Sequence, residues 1–503
     1  MPKYLLAHDL GTSGNKATLF TTRGARIKSK TYRYSTRFAG QGRAEQNPED
    51  WWKAVVTTTR ELAAEVRKED ILAVSFSGQM MGCLCVDKNG LPLHDSMIWA
   101  DTRSVAEERF LKEKIEPFRI YSITGQQANA GCSLEKLLWI KNNRPEVYRN
   151  TYKMLNAKDY IVLRMTGKFL TDYSDASETN AFDLNSFRWS EEIIDAAGIA
   201  PDLLPDVRPS TYVAGGLLRG AAEECGLSRK TLVVLGGGDG ACATVGAGAV
   251  SEGTTYNCLG SSSWISTTSK KQILDAQMRT FNFAHLIPGY ICPCGTMQAA
   301  GASYEWMKEQ LCGYERETAG LQGKDIYSLI DTAIGKSPAG AKGLIYLPYL
   351  LGERSPRWNP RAKGAFVGLT MSHTHEDMVR SVVEGIGLNL RLILDVLRGH
   401  YRVERIFVLG GLAKSKEVCQ ILADIYGTEL LPLDHPDEAT SIGAAAAAGV
   451  AVGALESFAE VKRFTKPAAG FVPGGENSER YNRALEIFDH TYEALTGIFE
   501  ELA

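Results

Sequence analysis

The chain has 503 residues, of which 44% are hydrophobic, so it is too long for one ordinary core and is expected to form roughly two to four packed units. Its 56 basic and 59 acidic side chains give a net charge of −3, which provides no global basic field for binding nucleic acid or an anionic membrane surface. The ten cysteines lack the tandem C-x-x-C spacing of a zinc site, and we expect them to be reduced and buried.

The N-terminal segment meets charged residues too early for the apolar region of a secretory signal. The longest mainly apolar run without charge, residues 442–455, falls short of the roughly 20 residues that a bilayer span needs, and it is rich in Ala and Gly. We therefore expect a cytoplasmic protein without a membrane span, and a closely packed buried helix in this run.

A glycine-rich turn in residues 9–20 separates two short apolar runs, and this pattern predicts a hairpin of two strands. Gly11 lets backbone amides approach an anion closely, and Thr12 and Ser13 add hydroxyl donors. Asp9 precedes the turn and Lys16 follows it. The pattern favours a nucleotide-phosphate loop, although an ordinary tight hairpin with Asp and Gly as turn formers accounts for the same residues.

A second glycine cluster, residues 236–240, follows a buried apolar strand and places Asp239 between glycines. A carboxylate there can take a proton from an attacking hydroxyl, and phosphoryl transfer needs little beyond such a base, magnesium and phosphate donors. We hypothesise that Asp239 is the general base and also faces the metal, while Asp9 holds Mg²⁺ directly or through water. In the alternative interpretation, Asp239 caps the following helix.

Strand-like runs alternate with amphipathic helical stretches, which indicates an α/β architecture. We predict two domains, residues 1–245 and 246–503. In the second domain, residues 254–267 repeat the order of strand, turn and strand, with Gly260 and Ser261 in the turn. Two such hairpins suit a nucleotide held in a cleft between related domains, although Ser/Gly turns also recur by chance.

A third glycine site lies in residues 406–415, where an apolar strand ends in Gly410 and Gly411 before a helix that begins after Ser415. This order leaves a flat surface and free amides at a helix N-terminus, where adenosine can lie. Many α/β proteins turn a strand into a helix through two glycines, so this element is weak by itself.

Two longer segments carry a resemblance to a known family. Residues 131–143, around Lys136 and Trp139, and residues 364–384 match the two sequence patterns of the FGGY family of carbohydrate kinases at the expected spacing. With the hairpins and the Gly-Gly-Gly-Asp-Gly segment, the resemblance covers the chain from Asp9 to about residue 449. It implies a two-domain actin-like ATPase fold, related to ribonuclease H, with a cleft between the domains.

The resemblance implies an ATP-dependent kinase for a sugar, ketose or polyol hydroxyl, with ATP and Mg²⁺ as cofactors and Asp239 as the catalytic aspartate. By the same match, the nucleotide-binding residues are Thr12, Ser13 and Lys16 in the first phosphate loop, Gly260 and Ser261 in the second, and Gly410 and Gly411 in the adenosine turn. It also suggests self-association, as a homodimer.

Residues 77–82 and 99–103 resemble the substrate loops of xylulose kinases, so Gln79, Met80, Met81 and Asp101 are candidate substrate residues beside Asp239. Those enzymes usually carry histidine where Met81 stands, and methionine offers shape rather than a hydrogen bond. The resemblance favours D-xylulose, with L-xylulose, ribulose or an erythritol-type polyol as alternatives. The chain lacks the Arg-Glu pair of glycerol kinases.

Several polar and aromatic residues also have structural interpretations, and for large aromatic side chains a place in the core is the commoner one. Asp101 and Arg103 either bind sugar hydroxyls or pair with each other. Residues 172–177 match another family segment but can simply cap and close a loop through Asp172, Ser174 and Ser177. Large aromatic side chains either line the cleft or fill the core, and the candidates are Trp264, Tyr304 and Trp306.

A different class of function remains open for the same ATPase core. An actin-like filament or a chaperone-type switch uses ATP to drive movement and needs no sugar loops. Gln79, Asp101 and the two family patterns favour the kinase over such a switch.

Overall fold

The computed structural model describes residues 2–40 and 42–502. Its strands are, in chain order, β1 (Tyr4–Leu10), β2 (Gly14–Thr21), β3 (Arg26–Arg33), β4 (Arg37–Ala39), β5 (Arg43–Gln46), β6 (Ile71–Gly78), β7 (Leu84–Val86), β8 (Ser96–Met97), β9 (Lys153–Leu155), β10 (Leu170–Asp172), β11 (Phe182–Asp183), β12 (Arg188–Trp189), β13 (Asp206–Arg208), β14 (Val213–Gly216), β15 (Leu232–Val234), β16 (Gly237–Gly238), β17 (Thr255–Leu259), β18 (Ser263–Thr267), β19 (Phe281–Ala284), β20 (Ile291–Met297), β21 (Ile345–Leu347), β22 (Ala365–Val367), β23 (Arg405–Leu409) and β24 (Glu429–Pro432).

The α-helices alternate with these strands, as the sequence predicts for an α/β protein. They are α1 (Pro48–Ala63), α2 (Val105–Lys114), α3 (Pro117–Thr124), α4 (Ser133–Asn143), α5 (Pro145–Asn150), α6 (Ala157–Thr166), α7 (Tyr173–Ser177), α8 (Glu191–Ala197), α9 (Arg219–Cys225), α10 (Asp239–Gly246), α11 (Gly301–Gln310), α12 (Gly313–Gln322), α13 (Ile326–Lys336), α14 (His375–Arg398), α15 (Lys416–Tyr426), α16 (Ala439–Ala451) and α17 (Gly475–Glu501).

One mixed sheet organises the first half of the chain, in the order β14-β15-β6-β1-β2-β3, with β16 also paired to β6. Strands β1 and β2 form an antiparallel hairpin in which Asp9 stands opposite Lys16. Strand β3 continues antiparallel to β2, while β6 runs parallel to β1 and β15 parallel to β6. The hairpin predicted around residues 9–20 is therefore present.

A second sheet organises the other half, in the order β19-β20-β18-β17-β23-β24. Strands β17 and β18 form an antiparallel hairpin, β20 continues it, and β23 and β24 run parallel to β17. Three antiparallel strands followed by two parallel ones thus occur once in each half. The predicted domain boundary falls at the end of α10 and stays a prediction.

Helices α10 and α16 pack closely against each other between the two sheets. A Cβ on Gly246 would lie 1.8 Å from the Ala439 carbonyl oxygen, and one on Gly443 would lie 2.1 Å from that of Cys242. Only glycine allows backbones to approach this closely. Helix α16, which contains the start of the run predicted as a buried helix, covers apolar residues of the first sheet.

The remaining elements extend the two halves. Helices α2, α3, α4 and α8 surround a separate apolar cluster beside the first sheet, and α14 and α17 pack on the core of the second. All ten cysteines are free and buried. Within residues 2–40 and 42–502, no helix combines the length and apolar character needed to cross a bilayer.

Candidate active site

Asp9 lies at the carboxyl end of β1, where elements from both halves bind its side chain. Its Oδ1 accepts a hydrogen bond from the Ser77 hydroxyl at 3.0 Å, and its Oδ2 accepts one from the Thr440 hydroxyl at 2.7 Å. Ser77 belongs to β6 and Thr440 to α16. Burial raises the pKa of Asp9 above its ordinary value.

Lys16, opposite Asp9 on β2, is paired with another carboxylate. Its Nζ lies 2.8 Å from Glu438 Oε1 and donates to the Asp437 carbonyl at 2.7 Å. Glu438 is buried and also accepts hydrogen bonds from Thr18 and Arg26. A phosphate contact by Lys16 would therefore have to compete with Glu438, and it stays a prediction.

Side chains from elsewhere in the first half hold the turn of the first hairpin. The Tyr34 hydroxyl donates to the Gly11 carbonyl at 2.5 Å, and Gln46 Nε2 donates to the Thr12 carbonyl at 2.6 Å. The indole of Trp99 donates to the Thr12 hydroxyl at 2.8 Å. Ser13 at the tip of the turn is exposed.

Asp239 is the first residue of α10 and lies at the end of the glycine cluster. Gly238, not Asp239, is the N-cap residue, and the Asp239 side chain accepts a hydrogen bond only from the Gly240 amide, at 2.8 Å, among the residues described. Burial and then the nearby charge of Asp9 raise the pKa of Asp239 to about 7. Asp239 is thus not the N-cap residue, although its carboxylate still satisfies one free amide in the first turn of α10.

A buried network fixes the backbone immediately before Asp239. The Gly238 amide donates to the Ser174 hydroxyl at 2.9 Å, and that hydroxyl donates to Asp172 at 2.6 Å. Asp172 is in turn 2.9 Å from the buried ammonium of Lys158. Residues 172–177 thus close a loop that positions Asp239, and Lys158, which no local sequence pattern marks, supports that loop.

A cavity of about 210 Å³ opens in front of Asp239, and we call it the smaller cavity. It brings together four predicted site residues, which are Thr12, Met80, Met81 and Asp239. The rest of its lining is Trp99, Glu178, Gly240, Ser262, Trp264, Phe281, Phe283, Cys294, Thr296 and Arg354.

Two predicted substrate residues do not line the smaller cavity. Asp101 is fully buried, and its carboxylate is bound by Arg103 at 2.5 Å and by the Ala44 amide at 2.7 Å. The structure thus agrees with pairing of Asp101 and Arg103. Gln79 is buried and donates to Gln46 at 2.7 Å, while its own Oε1 has no partner among the residues described.

The loop that carries Met81 is held by a residue of the first family pattern. Met81 has a φ of 61°, and its carbonyl accepts a hydrogen bond from Lys136 Nζ at 2.8 Å. Lys136 also donates to two other carbonyls, and its burial lowers its pKa to about 8. A buried amine that binds only carbonyls positions a loop rather than a ligand.

Two charged residues of the smaller cavity were missed by the sequence analysis. Glu178 is buried, its Oε1 has no partner among the residues described, and burial raises its pKa to about 7. The guanidinium of Arg354 lies over the rings of Phe281 and Trp358 at 5.6 and 5.9 Å and makes no ion pair in the described part of the chain. The local sign of both residues was a charged side chain beside a serine outside the regular elements, since Glu178 follows Ser177 and Arg354 precedes Ser355.

A larger cavity of about 930 Å³ lies on the second half. Its lining includes four of the residues predicted to bind nucleotide, namely Gly260, Ser261, Gly411 and Ser415. Gly410 is not in the lining but adopts a φ of 94°, and a Cβ there would lie 2.6 Å from the Leu259 carbonyl oxygen. Ser415 caps α15 and donates to Asp331 at 2.7 Å.

The turn of the second hairpin separates the two cavities. Ser261 lines the larger cavity and the adjacent Ser262 lines the smaller one. Amides at the start of α11 hold this turn, because Gly301 donates to the Gly260 carbonyl and Ala302 to that of Ser261, each at 3.0 Å. A group bound at this turn can therefore be reached from both sides.

The three aromatic candidates divide between the cavities and the core. Trp264 lines the smaller cavity and Tyr304 the larger one. Trp306 instead stacks on Tyr346, with ring centroids 6.3 Å apart, in the core of the second half.

Comparison with known proteins identifies the family. The model of the FGGY carbohydrate kinase N-terminal domain matches residues 4–246, and that of the C-terminal domain matches residues 255–452. The chain is 32% identical to a xylulose kinase of Bacillus subtilis, with 97% of each covered, and 30% identical to a gluconokinase of the same organism, with 100% of the chain and 98% of that protein covered.

A solved structure agrees over the whole length. The ligand-bound xylulose kinase from Lactobacillus acidophilus superposes with a TM-score of 0.93 at 26% identity, and the match covers 100% of both chains. The predicted two-domain α/β fold is therefore confirmed. The chain belongs to the FGGY family of carbohydrate kinases and is a phosphotransferase that acts on an alcohol acceptor.

Proposed function

We propose that this kinase transfers the γ-phosphate of MgATP to a hydroxyl of an open-chain sugar bound in the smaller cavity. One observation carries the proposal. The serine turn of the second hairpin lies between a cavity lined by Asp239 and one lined by Gly411 of the predicted adenosine turn. A nucleotide in the larger cavity would present its terminal phosphate at this turn, and an acceptor in the smaller cavity would meet it beside Asp239.

Asp239 is the proposed general base. Its Oδ1 is bound by the Gly240 amide, which leaves Oδ2 to accept the proton of the attacking hydroxyl. A pKa of about 7 makes this carboxyl a stronger base than an ordinary aspartate, and a base with a pKa close to the operating pH is efficient. Ser174 and Asp172 hold the backbone before it, so we assign them a positioning role.

Asp9 and Asp239 are the proposed holders of Mg²⁺. Their carboxylates interact closely enough that the charge of Asp9 raises the pKa of Asp239, and a cation between them would relieve this repulsion. When bound, the ion neutralises charge on the transferred phosphate. Gly11, Thr12, Ser13 and Lys16 are the proposed first phosphate loop, opposite Gly260 and Ser261.

D-xylulose is the first proposed acceptor, with L-xylulose, ribulose and erythritol-type polyols as alternatives. Xylulose kinases occur among both the sequence relatives and the structural neighbours, and Met81 makes one side of the smaller cavity apolar. The test is coupled ADP release across a panel of pentuloses, hexuloses, polyols and sugar acids. Equal rates with every compound and without acceptor would contradict the kinase proposal and favour an ATPase switch.

An aldonic acid such as gluconate is a second candidate, because Arg354 presents an unpaired guanidinium to the smaller cavity. A guanidinium binds a carboxylate strongly in a bidentate geometry, and a gluconokinase covers the whole chain at 30% identity. Arg354→Gln should then lower kcat/KM for gluconate at least 100-fold and leave that for xylulose within a few-fold. Arg361→Gln is the matched control, because Arg361 is exposed and pairs with Glu500.

Location and assembly complete the proposal. Since the proposed reaction consumes ATP, we place the enzyme in the cytoplasm, acting on a small sugar or polyol without nucleic acid. A homodimer is the assembly that the family resemblance favours, and sedimentation of the purified chain tests it.

A further inference from the structure

Three potential metal ligands meet at the starts of two helices, and none of them lines either cavity. Cys312 caps α12, Glu315 lies in its first turn, and His375 begins α14. One ligand atom from each lies within 4.8 Å of the others, and His375 Nε2 is 3.1 Å from Glu315 Oε1. The sequence spacing could not reveal this group, because His375 is distant along the chain.

The burial of Glu315 needs an explanation. It is the only buried residue of α12, at 6% exposure, whereas the apolar Tyr314 and Leu321 of the same helix are 76% and 80% exposed. Burying a carboxylate costs free energy unless its charge is paired. Its Oε2 has no hydrogen-bond partner among the residues described. The nearby Arg316 is bound to Glu309 at 2.8 Å and so is already paired.

We propose that Cys312, Glu315 and His375 form a binding site for a divalent transition metal of the zinc class. Thiolate, imidazole and carboxylate are the ligands that zinc takes in proteins, and three of them leave a fourth position for water. On binding, the Cys312 thiol releases its proton to solvent and its sulfur coordinates the ion. The ion supplies a full positive charge to the buried Glu315, whose Oε1 otherwise has the His375 imidazole beside it and whose Oε2 has no partner among the residues described.

The location gives the metal a structural role. Helix α12 leads through residues 323–325 into α13, and Asp325, Tyr327 and Asp331 line the larger cavity. His375 begins α14, which packs in the core of the second half. A metal bound by these three residues would therefore fasten the exposed α12 and the wall of the larger cavity to that core.

Cobalt titration of the purified full-length chain, first treated with a chelator, tests the ligand set. We expect one equivalent of Co²⁺ to produce a thiolate-to-cobalt absorption band that Zn²⁺ abolishes. Cys312→Ser should eliminate the band and His375→Gln should weaken binding at least tenfold. Cys225→Ser, at a buried cysteine of the first half, should leave the band unchanged. Absence of the band in the wild type, or its persistence in Cys312→Ser, would overturn the proposal.

A thermal measurement separates loss of the site from loss of the fold. Zinc at 100 times its Kd should raise the Tm of the wild type by a few degrees and leave that of Cys312→Ser unchanged. Without added zinc, kinase activity in Cys312→Ser should match that of the chelator-treated wild type, because neither protein then holds the metal, and this verifies folding. An equal zinc-dependent rise in both proteins would contradict the site. The cobalt titration and the zinc-dependent Tm do not involve a sugar acceptor. They would therefore stay the same if the proposed acceptor proved wrong.

Discussion

The two hairpins occupy equivalent places in their sheets but carry different side chains. On the first, Asp9 stands opposite Lys16, one step before the last pair of the strands. On the second, the corresponding pair is Cys258 and Trp264. The repeated architecture therefore places charge on one copy and neutral groups on the other. We take the first hairpin as the copy adapted to the metal and the phosphate.

The groups that hold the two turns in place also differ. Side chains of Tyr34, Gln46 and Trp99 bind the first turn together with the Tyr34 amide, whereas backbone amides at the start of α11 bind the second. Side-chain support depends on particular residues, while backbone support depends on close approach. We expect loss of the Asp9 charge on the first hairpin to affect turnover, and displacement of the second turn to affect nucleotide affinity.

We expect the largest effect from removal of the Asp239 carboxylate, which lies between the two halves. Asp239→Asn should lower kcat by about 10²- to 10⁴-fold, the usual contribution of a general base, and leave the Kd of ATP nearly unchanged. Coupled ADP release and calorimetry measure the two quantities. Asp195→Asn, an exposed residue of α8, is the control. A variant at position 239 that keeps more than a few per cent of wild-type activity would remove Asp239 from this role.

Paired substitutions at equivalent hairpin positions test the comparison directly. Asp9→Asn should lower kcat at least tenfold and raise the Mg²⁺ concentration needed for half-maximal rate, because a metal-facing charge is lost. Cys258→Ser, at the equivalent site, should stay within about twofold of the wild type. The measurement is the rate as a function of Mg²⁺. Similar losses in both variants would show that the charge difference has no functional meaning.

The second turn can be perturbed through its backbone support. A Cβ on Gly301 would lie 2.5 Å from the Gly260 carbonyl oxygen, so Gly301→Ala should displace the turn and raise the KM for ATP about tenfold. We expect a loss of about 1–3 kcal/mol in the free energy of unfolding, typical of a strained core site. Gly220→Ala, with no atom within 4 Å of the new methyl group, is the control. An unchanged KM for ATP would separate this turn from the nucleotide.

The pH profile tests the proposed base without any substitution. Burial favours the protonated form of Asp239 and raises its pKa to about 7. The general base acts as a carboxylate, so kcat/KM for the sugar should fall about tenfold per pH unit below its pKa, and Mg²⁺ between Asp9 and Asp239 moves that pKa below the value of the metal-free protein. Rates at saturating MgATP between pH 5.5 and 8.5 measure this. A flat profile would assign the proton transfer to another group.

The sequence predicted best those features that depend on neighbouring residues. The turn of the first hairpin follows from Gly11 within an alternating apolar pattern, and Gly410 follows from a strand that must turn sharply. Both constraints are local, so a short segment contains them. The closely packed helix α16 was also foreseeable, because a run of alanines and glycines permits backbones to approach.

Contacts between distant segments could not be predicted in this way. Lys16 pairs with Glu438, which is distant in the sequence, and no residue near Lys16 indicates that it has this partner. Glu178 and Arg354 reach the smaller cavity from opposite halves, so neither segment alone indicates a site. Pairing of Asp101 with the neighbouring Arg103 was one of the two interpretations that the sequence offered, but only the fold shows that the amide of the distant Ala44 also binds this carboxylate.

The packing of α16 on the first sheet has a consequence for dissecting the protein. The helix belongs to the second half of the chain, yet its alanines cover Leu5 and Ala73 of the first sheet. A fragment that stops at residue 245 would leave that sheet face bare to water and prone to aggregate. Soluble expression would then need both pieces made together, so the halves are repeated in architecture but are not autonomous modules.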